Sequence, residues 1–411
     1  MTSFSRLFTL LLVLLVAPAG LAQPAPSPAP PGKPLTVYFF DVGQGDAALI
    51  VSPTGKTVLI DGGPPEAGEH LAARVRQLVR APLDLVILTH PHLDHLGSIK
   101  DAVQAVGAKR YMDPGFDHPS VAYRNLLDFV GKEVGQVMTA QPNPQAPDTL
   151  LTIGLGEGVT LTIHWPRHPR EPFLQNTRSD ANSNSIVARL TYGKTAFLFT
   201  GDAEADTEEA LLRRHADYTS TVLKVAHHGG KHSSTQAFLD AVRPRAAVIS
   251  SRKGNEYGHP TPETLARLES VGARIFRTDL GGEIKAVSNG ATVTLQAERG
   301  DTAPVVVPGE VKAPATTVSA VVPASPAPSN PATRSPSPVP VAYKPPPTPA
   351  PAPAVAQPAP SAPRFVSLKG SEVFHREDCA TLKRAKTKER KVYPTRAAAA
   401  RERRAAEDCN P

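Results

Sequence analysis

The stretch Leu83-Asp84-Leu85-Val86-Ile87-Leu88-Thr89-His90-Pro91-His92-Leu93-Asp94-His95 decides how the chain is read. Its first six residues are apolar and β-branched enough for a buried strand, so the polar residues that follow emerge in the loop at the strand's carboxyl end. Open α/β sheets place their chemistry there. His90 and His92, two residues apart, point the same way from an extended segment, whereas Asp94 and His95 come from the turn that enters the next helix. Three imidazoles and a carboxylate in six residues are costly unless a cation uses them, and one such loop can serve two adjacent ions.

Working outward, the flanking sequence alternates strand and helix patterns from residue 35 to about 299, the rhythm of an α/β domain. Strands are expected over 35–40, 47–51 and 57–60, then a helix over 69–79. Two of these strands run into acidic, glycine-rich turns, Asp41-Val42-Gly43-Gln44-Gly45-Asp46 and Asp61-Gly62-Gly63. Asp41, Asp46 and Asp61 are read as residues that shape a site; the plainer role of Asp41 and Asp46 is to end their strand. Beyond the histidine loop the pattern predicts helices over 97–106 and 121–130, with strands near Tyr111, Leu150 and Leu161. The second half repeats the rhythm: strands over 186–191, 197–200, 222–226 and 246–250, and helices over 203–215, 235–242 and 262–271, before strands that run through Gln296.

Three polar turns follow apolar strands in that second half. Thr200-Gly201-Asp202 carries a carboxylate, which would serve equally as an N-cap for the helix after it. His227-His228-Gly229-Gly230 carries two imidazoles, and Tyr257-Gly258-His259-Pro260 a third. Seven of the 13 histidines fall at 90, 92, 95, 227, 228, 232 and 259, and their clustering at distant strand ends points to one composite site.

Composition limits what surrounds that site. The 411 residues carry a net charge of +7, but residues 364–411 alone hold 13 Lys/Arg against 7 Asp/Glu, so the body is nearly neutral and the tail basic. Residues 1–22 read as a cleavable export signal, with Arg6, an apolar run and a small-x-small end at Gly20-Leu21-Ala22. They place the mature protein outside the cytoplasm, secreted, periplasmic or on the cell surface. Nothing later is apolar enough to span a bilayer. Residues 23–34 read as a short linker, 35–299 as the catalytic domain and 364–411 as a small module. Between the last two, residues 300–363 hold 19 of the 44 prolines and one aromatic residue, Tyr343, a composition that reads as an extended tether.

The H-x-H-x-D-H loop, the Asp61 turn, the Thr-Gly-Asp turn and the later histidine turn together resemble the metallo-β-lactamase fold, an αββα four-layer sandwich. The finer wording is similar to the hydrolase domain of the ComEC/Rec2 competence family. It runs FFDVGQGDAALI, VLIDGG, SNSIVARLTYGKTAFLFTGDAE, LKVAHHGG, VISSRKGNEYGHP and FRTDLGGEI, six motifs in one order across residues 35–297. The resemblance implies that His90 and His92 ligate a first ion, that Asp94 and His95 ligate a second, and that Asp202 bridges them. Either His227 or His228 completes the ligand set of the second ion. Imidazole and carboxylate donors suit Zn²⁺ or Mn²⁺, and a bridging carboxylate lets two cations approach. Asp94, Asp202 and His228 are the residues expected to carry catalysis, through water activated by the ions. No Ser or Cys nucleophile is required, and no G-x-S-x-G elbow occurs. Many relatives add a histidine to the first ion from the segment before residue 186. Here that segment reads Asp180-Ala181-Asn182-Ser183-Asn184-Ser185, leaving an amide oxygen or a water to fill the position. Asn182 and Asn184 are therefore expected beside the site, Asn184 serving equally as support for the ions or as a contact to substrate phosphate, while Lys231 and His259 either contact a phosphate or simply close a turn.

The tail resembles the small zinc-binding Ada-like modules. His375, Cys379 and Cys409 would hold one Zn²⁺, although the cysteine usual three residues before the last is Ala406 here. A Cys379 to Cys409 disulfide is the competing reading. A basic module on a long tether suits a polyanion. The expected function is an exported, binuclear-metal phosphodiesterase acting on DNA and related to DNA uptake. Its rivals are a phosphodiesterase for a small molecule or surface polymer and a non-catalytic DNA-binding protein. Oligomeric state is not readable from the sequence.

Overall fold

The computed structural model describes residues 33–309, apart from 143–145 and 147, and short pieces beyond residue 364. β1 (Leu35–Phe39), β2 (Ala48–Val51) and β3 (Thr57–Ile60) form an antiparallel meander. β4 (Leu85–Ile87), β5 (Arg110–Asp113) and β6 (Gln136–Thr139) then add in parallel. The crossovers run through helices Gly68–Leu78, Ile99–Val106 and Val121–Glu133.

A second sheet starts with the antiparallel strands β7 (Leu151–Gly154), β8 (Val159–Trp165), β9 (Val187–Tyr192) and β10 (Thr195–Phe199). It continues in parallel with β11 (Val222–Lys224), β12 (Ala246–Ile249) and β13 (Arg274–Arg277). Helices Ala205–Leu212, Gln236–Val242 and Pro262–Ser270 make the crossovers. β14 (Ile284–Ser288), β15 (Thr292–Ala297) and β16 (Val305–Pro308) return to the free side of β1. The sheet orders are β16-β15-β14-β1-β2-β3-β4-β5-β6 and β13-β12-β11-β10-β9-β8-β7.

Residue alternation explains the layering. Val58 and Ile60 of β3, Leu85 and Ile87 of β4, and Phe197 and Phe199 of β10 all point into one core between the sheets. Their strand neighbours Leu59, Val86 and Leu198 point the opposite way. Leu59 and Val86 meet Leu71, Val75 and Ile99 of the first helical layer; Leu198 meets Leu211, Phe238 and Leu268 of the second. A strand covered on both faces has no polar side to show, which is why these strands read as continuous apolar runs. The result is the expected four-layer αββα sandwich. Phe39 and Phe199 stack across its middle, with ring centroids 6.0 Å apart.

The structure departs from the sequence reading at two places that matter for the site. The helix expected over 97–106 is preceded by a separate turn, Leu93–Leu96, and begins only at Ile99. Between them Ser98 Oγ donates to Pro64 O and Gly62 N–H donates to His95 O, tying the histidine loop to the turn after β3. The window read as a tether opens with β16, whose Val-Val-Val-Pro run pairs with β15. β-branched residues favour this, and proline is tolerated because β16 is an edge strand.

The described residues beyond 364 belong to a separate unit. Strands Phe365–Leu368, Val373–Arg376, Arg390–Tyr393 and Arg404–Ala405 form one sheet there, and Phe365, Phe374, Tyr393 and Ala399 form a small core. His375 is buried on its strand. Cys379 and Cys409 lie outside the described residues, as do the leader over 1–22 and most of the tether.

Candidate metal centre

The loops that leave β3, β4, β10 and β11 converge at one end of the sandwich, and backbone hydrogen bonds fix them to one another. Ile186 N–H donates to Thr89 O, Asp46 N–H to Asp94 O, and His227 N–H to Gly201 O. Two glycines let the loops approach this closely. A Cβ at Gly45 would sit 2.2 Å from Asp94 O, and one at Gly201, whose φ is +50°, would sit 2.8 Å from Thr89 Cβ.

Asp202 is the centre of the arrangement, buried to 2% exposure after β10. It lies before the first turn of helix Ala205–Leu212, whose N-cap is Glu204, so the N-cap reading of Asp202 falls away. Around its carboxylate stand four imidazole Nε2 atoms: His95 at 3.3 Å from Oδ1, and His228, His90 and His227 at 3.6, 3.8 and 3.8 Å from Oδ2. Asp94 Oδ2 adds a second carboxylate, 3.2 Å from His228 Nε2 and 4.0 Å from His95 Nε2. His92 presents Nδ1 3.1 Å from His90 Nε2.

His95 and His228 are aimed from behind. Asp61, at a left-handed φ of 59°, accepts from Thr89 N and Thr89 Oγ1 and lies 2.9 Å from His95 Nδ1. That carboxylate favours the proton on Nδ1 and leaves the lone pair of Nε2 facing Asp202. His228 Nδ1 lies 3.1 Å from Ser250 O and 3.4 Å from Asp46 Oδ1, and Asp46 is itself held by Lys224 Nζ at 2.7 Å. His227 and His228 sit at φ 50° and 53°. Left-handed backbone costs non-glycine residues about 1–2 kcal/mol each and persists where surrounding contacts over-determine it.

In the protein alone the carboxylates draw protons onto two of these rings. Burial by itself would lower His95, but Asp202, Asp61 and Asp94 raise it well above the ordinary histidine range. His228 is likewise pushed up to about 10, as Asp202, Asp46 and Asp94 outweigh its burial. Asp94 and Asp202 are held below the usual carboxylate range despite burial, chiefly by His95 and His228. Burial lowers His90 and His92 instead. The carboxylate excess at Asp94 and Asp202 therefore calls for positive charge.

A divalent cation fits that demand. Asp94, His95, Asp202 and His228 each offer a ligand atom, all within 4.8 Å of one another. Among the described residues, His95 Nε2, His228 Nε2 and Asp202 Oδ1 are buried there without a hydrogen-bond partner. A second group, Asp46, Asp61 and His95, is equally close. Its carboxylates already have partners, Asp61 in Thr89 and His95 and Asp46 in Lys224, and they stand behind the histidines. The geometry also separates the paired histidines. His228 joins Asp94 and His95, with its ring 5.3 Å from that of His95, whereas the ring of His227 lies 5.4 Å from that of His259.

Residues 40–171 match the model of the metallo-beta-lactamase superfamily. The chain carries a metallo-β-lactamase domain. It is similar to ComE operon protein 3 of Bacillus subtilis (strain 168), 27% identical over 273 residues that cover 61% of this chain and 32% of that protein. It is 40% identical over 280 residues to competence protein ComA of Neisseria gonorrhoeae, covering 66% of this chain and 35% of that protein. Recombination protein 2 of Haemophilus influenzae is 29% identical over 256 residues, with coverage of 61% and 28%. The chain thus spans about a third of the length of these curated relatives. Over these residues the metallo-β-lactamase domain is related to competence proteins.

Of the other residues singled out in the sequence, the metallo-β-lactamase domain brings some to the centre and not others. Asp46, Asp61, Asn182 and His259 are there. Asn184 is fully buried; its Oδ1 accepts from Leu174 N, and its Nδ2 donates to Leu174 O and Asp180 O. A short polar side chain among loop backbone groups has satisfied them in place of a ligand. Asp41 turns outward to Arg299, with Nη2 to Oδ2 at 2.6 Å. Lys231 is exposed. Three participants were not foreseen: Thr89, Lys224 and Glu204. Lys224, a lysine inside an apolar strand next to the paired histidines, was the signal available.

Proposed function

We propose that this protein is an exported hydrolase of phosphodiester bonds, acting on DNA, with two divalent cations held at Asp202. The observation that carries the reading is the convergence of Asp94, His95, Asp202 and His228 on one space, with His90 and His227 facing the same Asp202 carboxylate and His92 beside His90. The names of the competence relatives supply the direction toward DNA. Bound divalent cations supply Lewis-acid activation of water and neutralisation of charge on the phosphoryl oxygens.

The chain's own residues do the rest. Asp61 and Asp46 hold His95 and His228 with Nε2 forward, so little reorganisation is needed when ligands and substrate engage. Asp202, which faces both groups of histidines, joins the two halves of the centre. His259 borders it, with its Nδ1 buried and without a hydrogen-bond partner among the described residues. It is pushed down to about 4, first by burial and then by His227 and His228, so it is neutral near pH 7 and contacts a phosphate as a hydrogen-bond partner. Lys231 would meet the same polyanion from the rim. In hydrolysis the water oxygen forms the new bond to phosphorus, one P–O ester bond breaks, and the departing alkoxide takes a proton. The basic residues 364–411 would retain the polyanion through its phosphates.

The test is a cleavage assay of residues 23–411 with Mn²⁺ or Zn²⁺ on DNA, bis-p-nitrophenyl phosphate and nitrocefin. The reading expects DNA cleavage that EDTA abolishes and Asp94→Asn removes without loss of fold. Turnover of the chromogenic diester alone would move the substrate to a small phosphodiester or surface polymer. Salt-sensitive DNA binding with no turnover of any substrate would leave a binding protein.

A further inference from the structure

We propose that His227 ligates the first ion together with His90 and His92, and that Glu204 is the positioning residue that sets its ring. The inference rests on the metal-centre reading and is independent of the substrate. His90, His92 and Asp202 provide three donors on that side, and a tetrahedral site takes a fourth. His227 Nε2 faces the same Asp202 oxygen as His90 Nε2, each at 3.8 Å. Its other nitrogen, Nδ1, is buried without a hydrogen bond and lies 3.4 Å from Glu204 Oε1.

That arrangement repeats a pattern seen twice elsewhere in the centre. His95 has Asp61 behind it and His228 has Asp46, in both cases with Nδ1 toward a buried carboxylate and Nε2 toward Asp202. Glu204 behind His227 is the third instance. A histidine that only closed a turn would not need a carboxylate buried to 2% exposure at its back.

Glu204 gives up another use to stand there. It occupies the N-cap of helix Ala205–Leu212, yet its side chain makes no capping hydrogen bond. Its carboxylate accepts from Asn182 Nδ2 at 3.1 Å and faces Arg178 Nε at 3.4 Å. Asn182 lies in the segment before β9, so that segment reaches the first ion indirectly: Asn182 holds Glu204, and Glu204 holds His227.

The experiment is Co²⁺ binding to the full chain, measured by equilibrium dialysis with visible absorption to follow each ion, alongside circular dichroism. His227→Ala should bind one ion fewer than wild type, or bind it at least 100-fold more weakly, with the ion at Asp94, His95 and His228 unchanged. Glu204→Gln keeps the hydrogen bond from Asn182 but loses the charge facing His227; it should retain the full count with about 10–100-fold weaker binding of one ion. A structural role for Glu204 alone would lower thermal stability and leave both affinities in place. Wild-type ion count and affinities in both variants would overturn the proposal, as would unchanged affinities in Glu204→Gln if His227→Ala does not fold. Failure to cleave DNA would leave these readouts untouched.

Discussion

Lys224→Met would remove the single lysine that faces Asp46 from within the strand layer, and its cost can be worked from the contacts. Lys224 and Asp46 have side chains only 5% and 6% exposed, with Nζ 2.7 Å from Oδ2. Nζ also donates to Val225 O at 2.8 Å. Burial drives the Asp46 carboxyl upward, and Lys224, followed by His228, more than offsets this to hold it below the usual range. Methionine keeps the volume of the stem and leaves a buried carboxylate without its closest cation, a change that costs about 3–5 kcal/mol. Against a total stability on the order of 5–15 kcal/mol, that is a large loss. The sign with pH follows. A carboxyl whose folded pKa is lowered contributes stability above its unfolded pKa and loses it as pH falls through the folded value. Without Lys224 the folded value rises, so protonation relieves the variant earlier and its deficit relative to wild type should narrow on acidification. Trp165 is the chain's one tryptophan and is buried in this domain, so urea unfolding in EDTA followed by its fluorescence reports the right unit. A deficit below about 1 kcal/mol at pH 7, or one that widens toward pH 5, would mean that Lys224 does not stabilise the buried Asp46 carboxylate.

Other predictions bear on the loops, the ligands and the tail. Gly201→Ala places a Cβ 2.8 Å from Thr89 Cβ and 3.1 Å from Ser185 Cβ at a left-handed φ; thermal denaturation should show a loss of about 2–4 kcal/mol from strain and overpacking together. Because His95 and His228 are raised in the protein alone, a cation must displace their protons at neutral pH. Apparent affinity should climb about tenfold per pH unit for each proton released, and calorimetric titrations that give one affinity from pH 6 to 8 would contradict this. Glu208 is fully buried, and its carboxylate accepts from Ser234 N and Thr235 N just beyond the paired histidines. Glu208→Ala should cost about 1–3 kcal/mol by leaving those donors unmet, read as a lower melting temperature. Removing residues 364–411, with 13 Lys/Arg against 7 Asp/Glu, should weaken DNA binding and flatten its salt dependence in fluorescence anisotropy.

The parts of the fold that were legible in the sequence are those governed by local pattern. Runs such as Val58-Leu59-Ile60 and Phe197-Leu198-Phe199 announce strands covered on both faces, and the turns after them expose His90, Asp94, Asp202 and His228 by position alone. What depends on which loops meet was not legible. Glu204 reads as an ordinary residue at a helix start until the fold brings His227 to its side chain, and Lys224 reads as an irregularity in a strand until Asp46 arrives from the first sheet. Asn184 shows the same limit, since only the fold reveals that the 174–180 loop covers it and hydrogen-bonds both polar atoms of its amide. The Val305–Pro308 strand was hidden by the proline-rich composition that follows it.

A two-ion centre divided by Asp202 can be seen in the anomalous diffraction of crystals of the protein grown with Mn²⁺. The expected map holds two peaks roughly 3.5–4 Å apart, one against Asp94, His95 and His228, the other against His90, His92 and His227, with Asp202 touching both. A single peak, or a second peak lying against Asp46 and Asp61, would contradict it.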